Sequence, residues 1–340
     1  GVGMVLTFVP VMALMFMLLA MLESSGYLAR AAVVTDRMMR LIGLPGRAFL
    51  PLVVGFGCNV PAIAATRVLP DARHRLQVSL LVPFTSCSAR LTVYVLVAST
   101  FFGGSAGNVV FAMYTVSILL VVVCGLLLRS TVLRSMPTEP LIIDLPAYHL
   151  PHPRVVGALT WQRVRGFLST AAGIIVATVV VIWLLSAIPV RGEGGFAEVP
   201  VRDSLYGATA AAVAPVFDPA GFGDWHATSA LLTGFVAKEA VVSSWAQTYA
   251  TDSDALAVGE TPEDLGDHLR TDFTASSDGD VSPAVLAFLV FLLAYTPCVA
   301  TLAAQRREIG TRWTLFGFGM QLAVAWVLAV AVFQIGRLVV

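Results

Sequence analysis

Charge is scarce in this chain. Only 12% of its 340 residues are Asp, Glu, Lys or Arg, against 57% apolar. That balance excludes an ordinary water-soluble domain and is the composition of a polytopic membrane protein. Acidic and basic residues number 21 each and cancel, so the basic footprint of a nucleic-acid binder is missing, and so is an acidic solvating tail. Lysine is nearly absent: Lys238 is the single one, and every other basic residue is arginine. Cysteine is confined to Cys58, Cys87, Cys124 and Cys298, all in apolar surroundings, which excludes the disulfide framework of a small secreted protein. Neither a Gly-x-x-x-x-Gly-Lys-Ser/Thr phosphate loop nor a His-Glu-x-x-His helix occurs. Without a catalytic motif the chain is expected not to be an enzyme.

What the chain has is apolar length. Residues 1–22, 108–128, 167–190 and 313–335 carry no charged side chain, and each run is long enough to cross about 30 Å of hydrocarbon at about 1.5 Å per residue. Residues 76–102, 228–250 and 282–304 are also apolar but hold Arg90, Pro83, Lys238, Glu239 and Pro297. Residues 50–66 are shorter, with two prolines and two glycines around Cys58, which suits a broken or re-entrant segment. The expectation is an all-α membrane protein of seven spanning helices plus one hairpin. Gly1 is followed by no basic n-region, so the opening run does not read as a signal peptide, and the chain is expected to be a piece of a longer one.

The arginines set an orientation. Residues 23–47 hold four, 67–75 three, 128–165 five and 306–312 three, and these loops are expected to face the cytoplasm. Residues 191–224 hold five acids against two arginines, and residues 251–281 hold nine acids against Arg270 alone. Both are expected outside, the second as a solvated insertion or an acidic antechamber that concentrates cations. Residues 228–250 then lie between two outer loops and are expected to be broken or re-entrant. His74, His149, His152, His226 and His268 all fall in predicted loops, and His149-Leu150-Pro151-His152 reads as an exposed turn despite its metal-like spacing.

A repeat is visible. Gly26-Tyr27-Leu28-Ala29-Arg30-Ala31-Ala32-Val33-Val34 matches Gly234-Phe235-Val236-Ala237-Lys238-Glu239-Ala240-Val241-Val242, the first copy expected in the cytoplasm and the second near the outer side. A weaker echo follows, Cys58-Asn59-Val60-Pro61 against Pro297-Cys298. Two related halves of opposite topology place a substrate site at their interface in secondary transporters. The halves are residues 1–128 and 167–340, joined by an Arg/Pro-containing linker, 129–166.

The motifs that carry chemistry pair proline with cysteine at membrane depth: Gly55-Phe56-Gly57-Cys58-Asn59-Val60-Pro61, Pro83-Phe84-Thr85-Ser86-Cys87-Ser88 and Tyr295-Thr296-Pro297-Cys298. Proline removes a backbone donor, and carbonyls released in this way must line a cavity. Sulfur is a soft ligand that suits first-row transition metals better than sodium, potassium or magnesium. Cys58, Cys87 and Cys298 are therefore candidate metal ligands, with Asn59 adding an amide oxygen and Glu239 a carboxylate. Cys124, in Val121-Val122-Val123-Cys124-Gly125, reads as packing. Glu23 and Arg90 read as anchors of helix ends. Lys238 beside Glu239 reads either as an interfacial pair or as part of a gate, because charge at the midplane is costly.

These same segments, with Glu23-Ser24-Ser25-Gly26, Gly43-Leu44-Pro45-Gly46 and Phe235-Val236-Ala237-Lys238-Glu239, resemble the membrane domain of FeoB-type ferrous iron transporters, from residue 1 to about 333. The resemblance implies uptake of Fe²⁺ across the bacterial inner membrane through two gate motifs, with Cys58, Cys87 and Cys298 lining the path and Pro61, Pro297, Glu23 and Lys238 in support. It also implies an amino-terminal GTP-binding domain that brings GTP and Mg²⁺, and small Feo accessory proteins. Lipid is a partner by composition, and a homo-oligomer is left open. One departure is Ser88, where the family usually has glycine; its hydroxyl adds bulk to a tight turn and offers a weak oxygen ligand. Two rivals share the architecture: a gate-type carrier of an organic solute such as a nucleoside, and a membrane scaffold without a transported ion.

Overall fold

The computed structural model describes residues 2–131, 148–168, 173–190, 200–252 and 262–339. Part of the linker (132–147), part of the first acidic loop (191–199) and part of the acidic insertion (253–261) lie outside the described residues. The described residues are helical with no β-strand. In chain order the helices are α1 (Val2–Ser24), α2 (Tyr27–Leu41), α3 (Phe49–Gly57), α4 (Asn59–Ala65), α5 (Ala72–Leu81), α6 (Ser88–Phe102), α7 (Ala106–Ser130) and α8 (Pro153–Phe167). They continue as α9 (Gly173–Ala187), α10 (Leu205–Val213), α11 (Trp225–Val236), α12 (Ala240–Asp252), α13 (Pro262–Ser276), α14 (Val281–Ala294) and α15 (Val299–Val339). Of the described residues, those within Gly1–Cys87, Ser117–Ala177 and Ala300–Gly317 form one compact unit, and those within Ser88–Val116, Thr178–Val299 and Phe318–Val340 a second.

In the first unit α1 ends where the Ser24 and Ser25 hydroxyls donate to the carbonyls of Met21 (3.2 Å) and Leu22 (2.9 Å). Gly26 then takes φ 77°, a left-handed turn that glycine adopts without steric cost, and α2 leaves at 78° to the end of α1. Asp36 on α2 accepts from Arg40 Nε (2.6 Å) and from the backbone N–H of Gly46 (2.9 Å), which pins the Leu44-Pro45-Gly46 turn. That turn lies so close that a Cβ on Gly46 would meet the Ala32 carbonyl at 2.5 Å. Met12 and Phe16 of α1 are buried against Val164 of α8, with Cys58 and Leu168 packed alongside.

The second unit is organised around α14. From Pro283 to Ala294 every side chain but Leu286 is buried, and a helix apolar all round belongs in the middle of its unit. Phe217, Phe222, Phe288 and Phe291 form an aromatic cluster with neighbouring rings 5.0 to 5.9 Å apart, and Trp245 of α12 lies 5.5 Å from Phe288.

Two expectations are corrected here, and the count of spanning helices is not confirmed. The acidic insertion is not a loop over its described part. Leu265, Leu269 and Phe273 recur every four residues and are buried, so α13 seats one apolar face while Asp267 is exposed. His74, His226 and His268 lie on helices rather than in loops; His149 and His152 are in irregular backbone. Among the described residues only 72–130 and 281–338, and at most the bent pair of α1 and α2, are long and apolar enough to cross a membrane. The remaining apolar segments are cut into pieces of 7 to 15 residues, such as α3, α4, α11 and α12, too short to span singly.

Candidate functional site

The predicted helix interruptions fall at the marked motifs. Between α3 and α4 the chain is extended at Cys58 alone, φ −154° and ψ 132°. Pro61 is then the third residue of α4, where a missing N–H costs nothing because the first turn has no intrahelical acceptor. The second break, Thr85-Ser86-Cys87, follows the 3₁₀ turn Val82–Phe84. The first unit brings these two breaks together: the Thr85 hydroxyl lies 2.7 Å from the Val82 carbonyl and 3.3 Å from the Asn59 amide oxygen. A Cβ at Gly55 would collide with the Thr85 hydroxyl. Ser117 on α7 accepts from the Ser86 N–H (3.0 Å) and donates to the Phe84 carbonyl (2.7 Å), meeting the backbone demands the break creates. Asn59 and Thr85 are buried, whereas Cys58 and Cys87 are partly exposed.

Beside this pair of breaks, still within the first unit, lies a cavity of about 480 Å³. Val54, Val60, Pro61 and Ala64 give it an apolar wall. Four of its five charged residues form two ion pairs, Glu23 with Arg163 and Arg67 with Glu308, the latter with Arg67 Nε 2.8 Å from Oε1. Glu23 lies in the last turn of α1.

The second unit has its own pair of breaks. Thr296 cannot stay helical because it precedes Pro297, and α14 stops at Ala294. Between α11 and α12 the chain is extended at Ala237, φ −149° and ψ 123°, so residues 228–250 are indeed broken. The break falls at Ala237–Glu239, whereas the matching copy near the start of the chain turns at Gly26. Lys238 is buried, 3% exposed, with Nζ 3.0 Å from the centroid of the Tyr295 ring, a close cation–π contact. Arg90, fully buried in the first turn of α6, donates through Nη2 to the Tyr295 carbonyl at 3.3 Å. It stands near a helix end and meets the carbonyl that follows α14, two residues before Pro297. Cys298 and Glu239 are partly exposed on these two breaks, and Ser88 opens α6 as an ordinary helical residue. Cys124 is buried in α7.

Cys58, Asn59, Pro61 and Cys87 therefore belong to the first unit, and Lys238, Glu239, Pro297, Cys298 and Ser88 to the second. Thr85, Ser117 and Tyr295 were not singled out in the sequence, though each lies in or opposite a proline-cysteine motif. The tight approach of α3 to Thr85 has a measurable consequence. Gly55→Ala should cost about 1–3 kcal/mol, seen as a lowered Tm, and Thr85→Ala in the same chain should restore part of it. An unchanged Tm for Gly55→Ala alone would show that this approach is loose.

With this geometry in hand, comparison with known proteins is decisive. The profile of the Gate family, described as "Nucleoside recognition", matches residues 5–101 and 168–312. The chain belongs to the Gate family. A second profile, described as "Ferrous iron transport protein B C terminus", matches residues 110–163 of this Gate chain. The Fe(2+) transporter FeoB of Methanocaldococcus jannaschii is 41% identical over 99% of the chain and 48% of its own length. That of Staphylococcus aureus is 36% identical over 100% and 48%. A fusion of Fe(2+) transport protein A with FeoB from Porphyromonas gingivalis is 36% identical over 99% and 43%. The Gate chain thus spans about half the length of the curated relatives it matches, and its likeness within the family is to FeoB-type ferrous iron transporters. No solved structure matches it.

Proposed function

We propose that the chain is the membrane permease part of a ferrous iron uptake system of the bacterial inner membrane. The observation that carries this reading is the coincidence of FeoB-type similarity along the whole chain with sulfur-bearing breaks at Cys58, Cys87 and Cys298. The donors offered to the ion are Cys58, Cys87 and the Asn59 amide oxygen in the first unit and Cys298 and Glu239 in the second, with backbone carbonyls at each break, ligands that bind without trapping. Arg90, Lys238 and Tyr295 hold the second pair of breaks in shape. Glu23, Arg67, Arg163 and Glu308 guard the cavity beside Pro61 on the cytoplasmic side, as the arginine count orients the chain. Seven crossings, some made by paired short helices, and two inverted halves, 1–128 and 167–340, complete the architecture, with 129–166 as cytoplasmic linker.

In the intact system a GTP-binding domain using GTP and Mg²⁺ gates or drives the permease. A small Feo accessory protein is a partner by analogy with the P. gingivalis fusion. The organic-solute reading is not favoured, because relatives matching the whole chain are named for iron despite the wording of the Gate description. The test is anaerobic uptake of radiolabelled Fe²⁺ by proteoliposomes carrying the full-length protein, with radiolabelled nucleoside in parallel. Iron should accumulate and nucleoside should not; the opposite result would overturn the assignment.

A further inference from the structure

We propose that Asp224, His226 and Asp272 form a binding site for one divalent first-row transition-metal ion. The site lies in the second unit, at the start of α11, and no residue of the proline-cysteine motifs takes part in it. Among the described residues this is the one group of three His, Cys, Asp or Glu side chains whose donor atoms all lie within 4.8 Å of one another. The proposal does not depend on the transport reading, since it rests on local geometry and donor chemistry.

The geometry follows from two short local rules and one long-range contact. Asp224 is the N-cap of α11, its Oδ2 accepting from the N–H of His226 (2.7 Å) and of Ala227 (3.4 Å), which fixes where the helix begins. His226 is the second residue of that helix and is 8% exposed. Its Nδ1 lies 3.2 Å from Asp224 Oδ2 and 3.0 Å from Oδ2 of Asp272 on α13. Two donors each about 2.1 Å from one ion, at angles between tetrahedral and octahedral, stand about 3.0–3.4 Å apart. The nitrogen-to-oxygen separations already fall in that interval, so an ion needs small side-chain rotations rather than backbone movement.

The donor set selects the ion. Two carboxylates neutralise a divalent cation and the imidazole supplies a nitrogen lone pair, a combination that suits Fe²⁺, Mn²⁺, Co²⁺ or Zn²⁺ and gives Mg²⁺ no comparable advantage. The supporting shell is built to match. Tyr249 donates its hydroxyl to Asp272 Oδ2 at 2.5 Å, a contact of the kind that orients a ligating carboxylate. The His226 ring is held by Trp225 at 4.2 Å and by Tyr249 at 4.3 Å, and Tyr249 stacks in turn on His268 at 5.2 Å. The carboxylate side chains are 24% and 26% exposed, so an ion can reach the cluster from solvent. A bare histidine clamped between two carboxylates would merely tie α11 to α13, and the experiment separates the two roles.

The purified chain in lipid nanodiscs is titrated anaerobically with Co²⁺, read by visible absorption and by tryptophan fluorescence. One equivalent should give a visible band and quench Trp225. His226→Ala and Asp272→Asn should each weaken binding at least about tenfold, and Tyr249→Phe, which keeps the ring stack, should weaken it several-fold. Cys58→Ser and Cys298→Ser should leave the quenching of Trp225 unchanged, so loss of iron uptake in those variants with that quenching intact supports a separate site. Wild-type affinity retained in both His226→Ala and Asp272→Asn would overturn the site. So would equal binding of Mg²⁺, or a wild-type chain that gives neither band nor quenching.

Discussion

Arg90→Ala should lower the stability of the protein by about 2–4 kcal/mol, visible as a drop of roughly 5–10 °C in the Tm of the detergent-solubilised chain. The guanidinium is fully buried and donates to the Tyr295 carbonyl. Truncation therefore removes packing volume and strips a partner from a carbonyl placed just before the Pro297 break. Arg90→Met separates the two contributions. If the arginine only filled space, methionine would be nearly neutral, as apolar replacements of buried charges often are. If it caps the broken end of α14, methionine should lose most of what alanine loses. Because Tyr295 also carries the Lys238 ammonium over its ring, the loss should extend to uptake: a variant still folded at the assay temperature should transport iron more slowly than the parent. A Tm within 1–2 °C of wild type for both variants would show that the break at Tyr295–Cys298 holds its shape without Arg90.

The breaks themselves were legible because glycine and proline write backbone rules into the chain. Cys58 sits three residues before Pro61 and directly after Gly57, and Thr296 precedes Pro297, so extended backbone there follows from local chemistry. The break at Ala237–Glu239 has no proline and no glycine within it. It was foreseen only from loop charges, through the odd placement of residues 228–250 between two acidic stretches, and its position relative to Gly234 was not. Composition misled at α13: Leu265, Leu269 and Phe273, which seat its buried face, were too few in an acidic stretch to stand out. The role of Arg90 was hidden for a different reason. Its partner lies 205 residues away, and burial of a charge is a property of the assembled unit that no local pattern carries. The same holds for His226 and Asp272, 46 residues apart, which meet only in the assembled unit. The seven-span count is not confirmed, because several of the apolar segments it rests on are interrupted by breaks that leave hydropathy intact and continuity lost.

Cys58→Ser and Cys298→Ser should each reduce ferrous iron uptake by at least about tenfold, while Cys124→Ser should leave it near the parent level. Serine keeps the size and hydrogen-bonding capacity of the side chain and replaces soft sulfur by hard oxygen, so the change reads ligand character rather than shape. Both thiols lie on interrupted helix ends and are partly exposed, one in each unit, whereas Cys124 is buried in the continuous α7. A packing cysteine and a path cysteine should therefore answer the same substitution differently. The Tm supplies the internal check: Cys58→Ser and Cys298→Ser should unfold within a few degrees of the parent, since trading a thiol for a hydroxyl at a partly exposed position removes little apolar burial, whereas Cys124→Ser puts a hydroxyl in a buried place and should lower the Tm more. Asn59→Ala extends the argument to the oxygen beside Cys58, and it should act mainly on the rate, with Thr85 and Ser117 still holding the neighbouring break. If Cys58→Ser and Cys298→Ser both carried iron at the parental rate, sulfur would be excluded as the feature that makes these breaks a route, and the backbone carbonyls alone would have to account for selectivity.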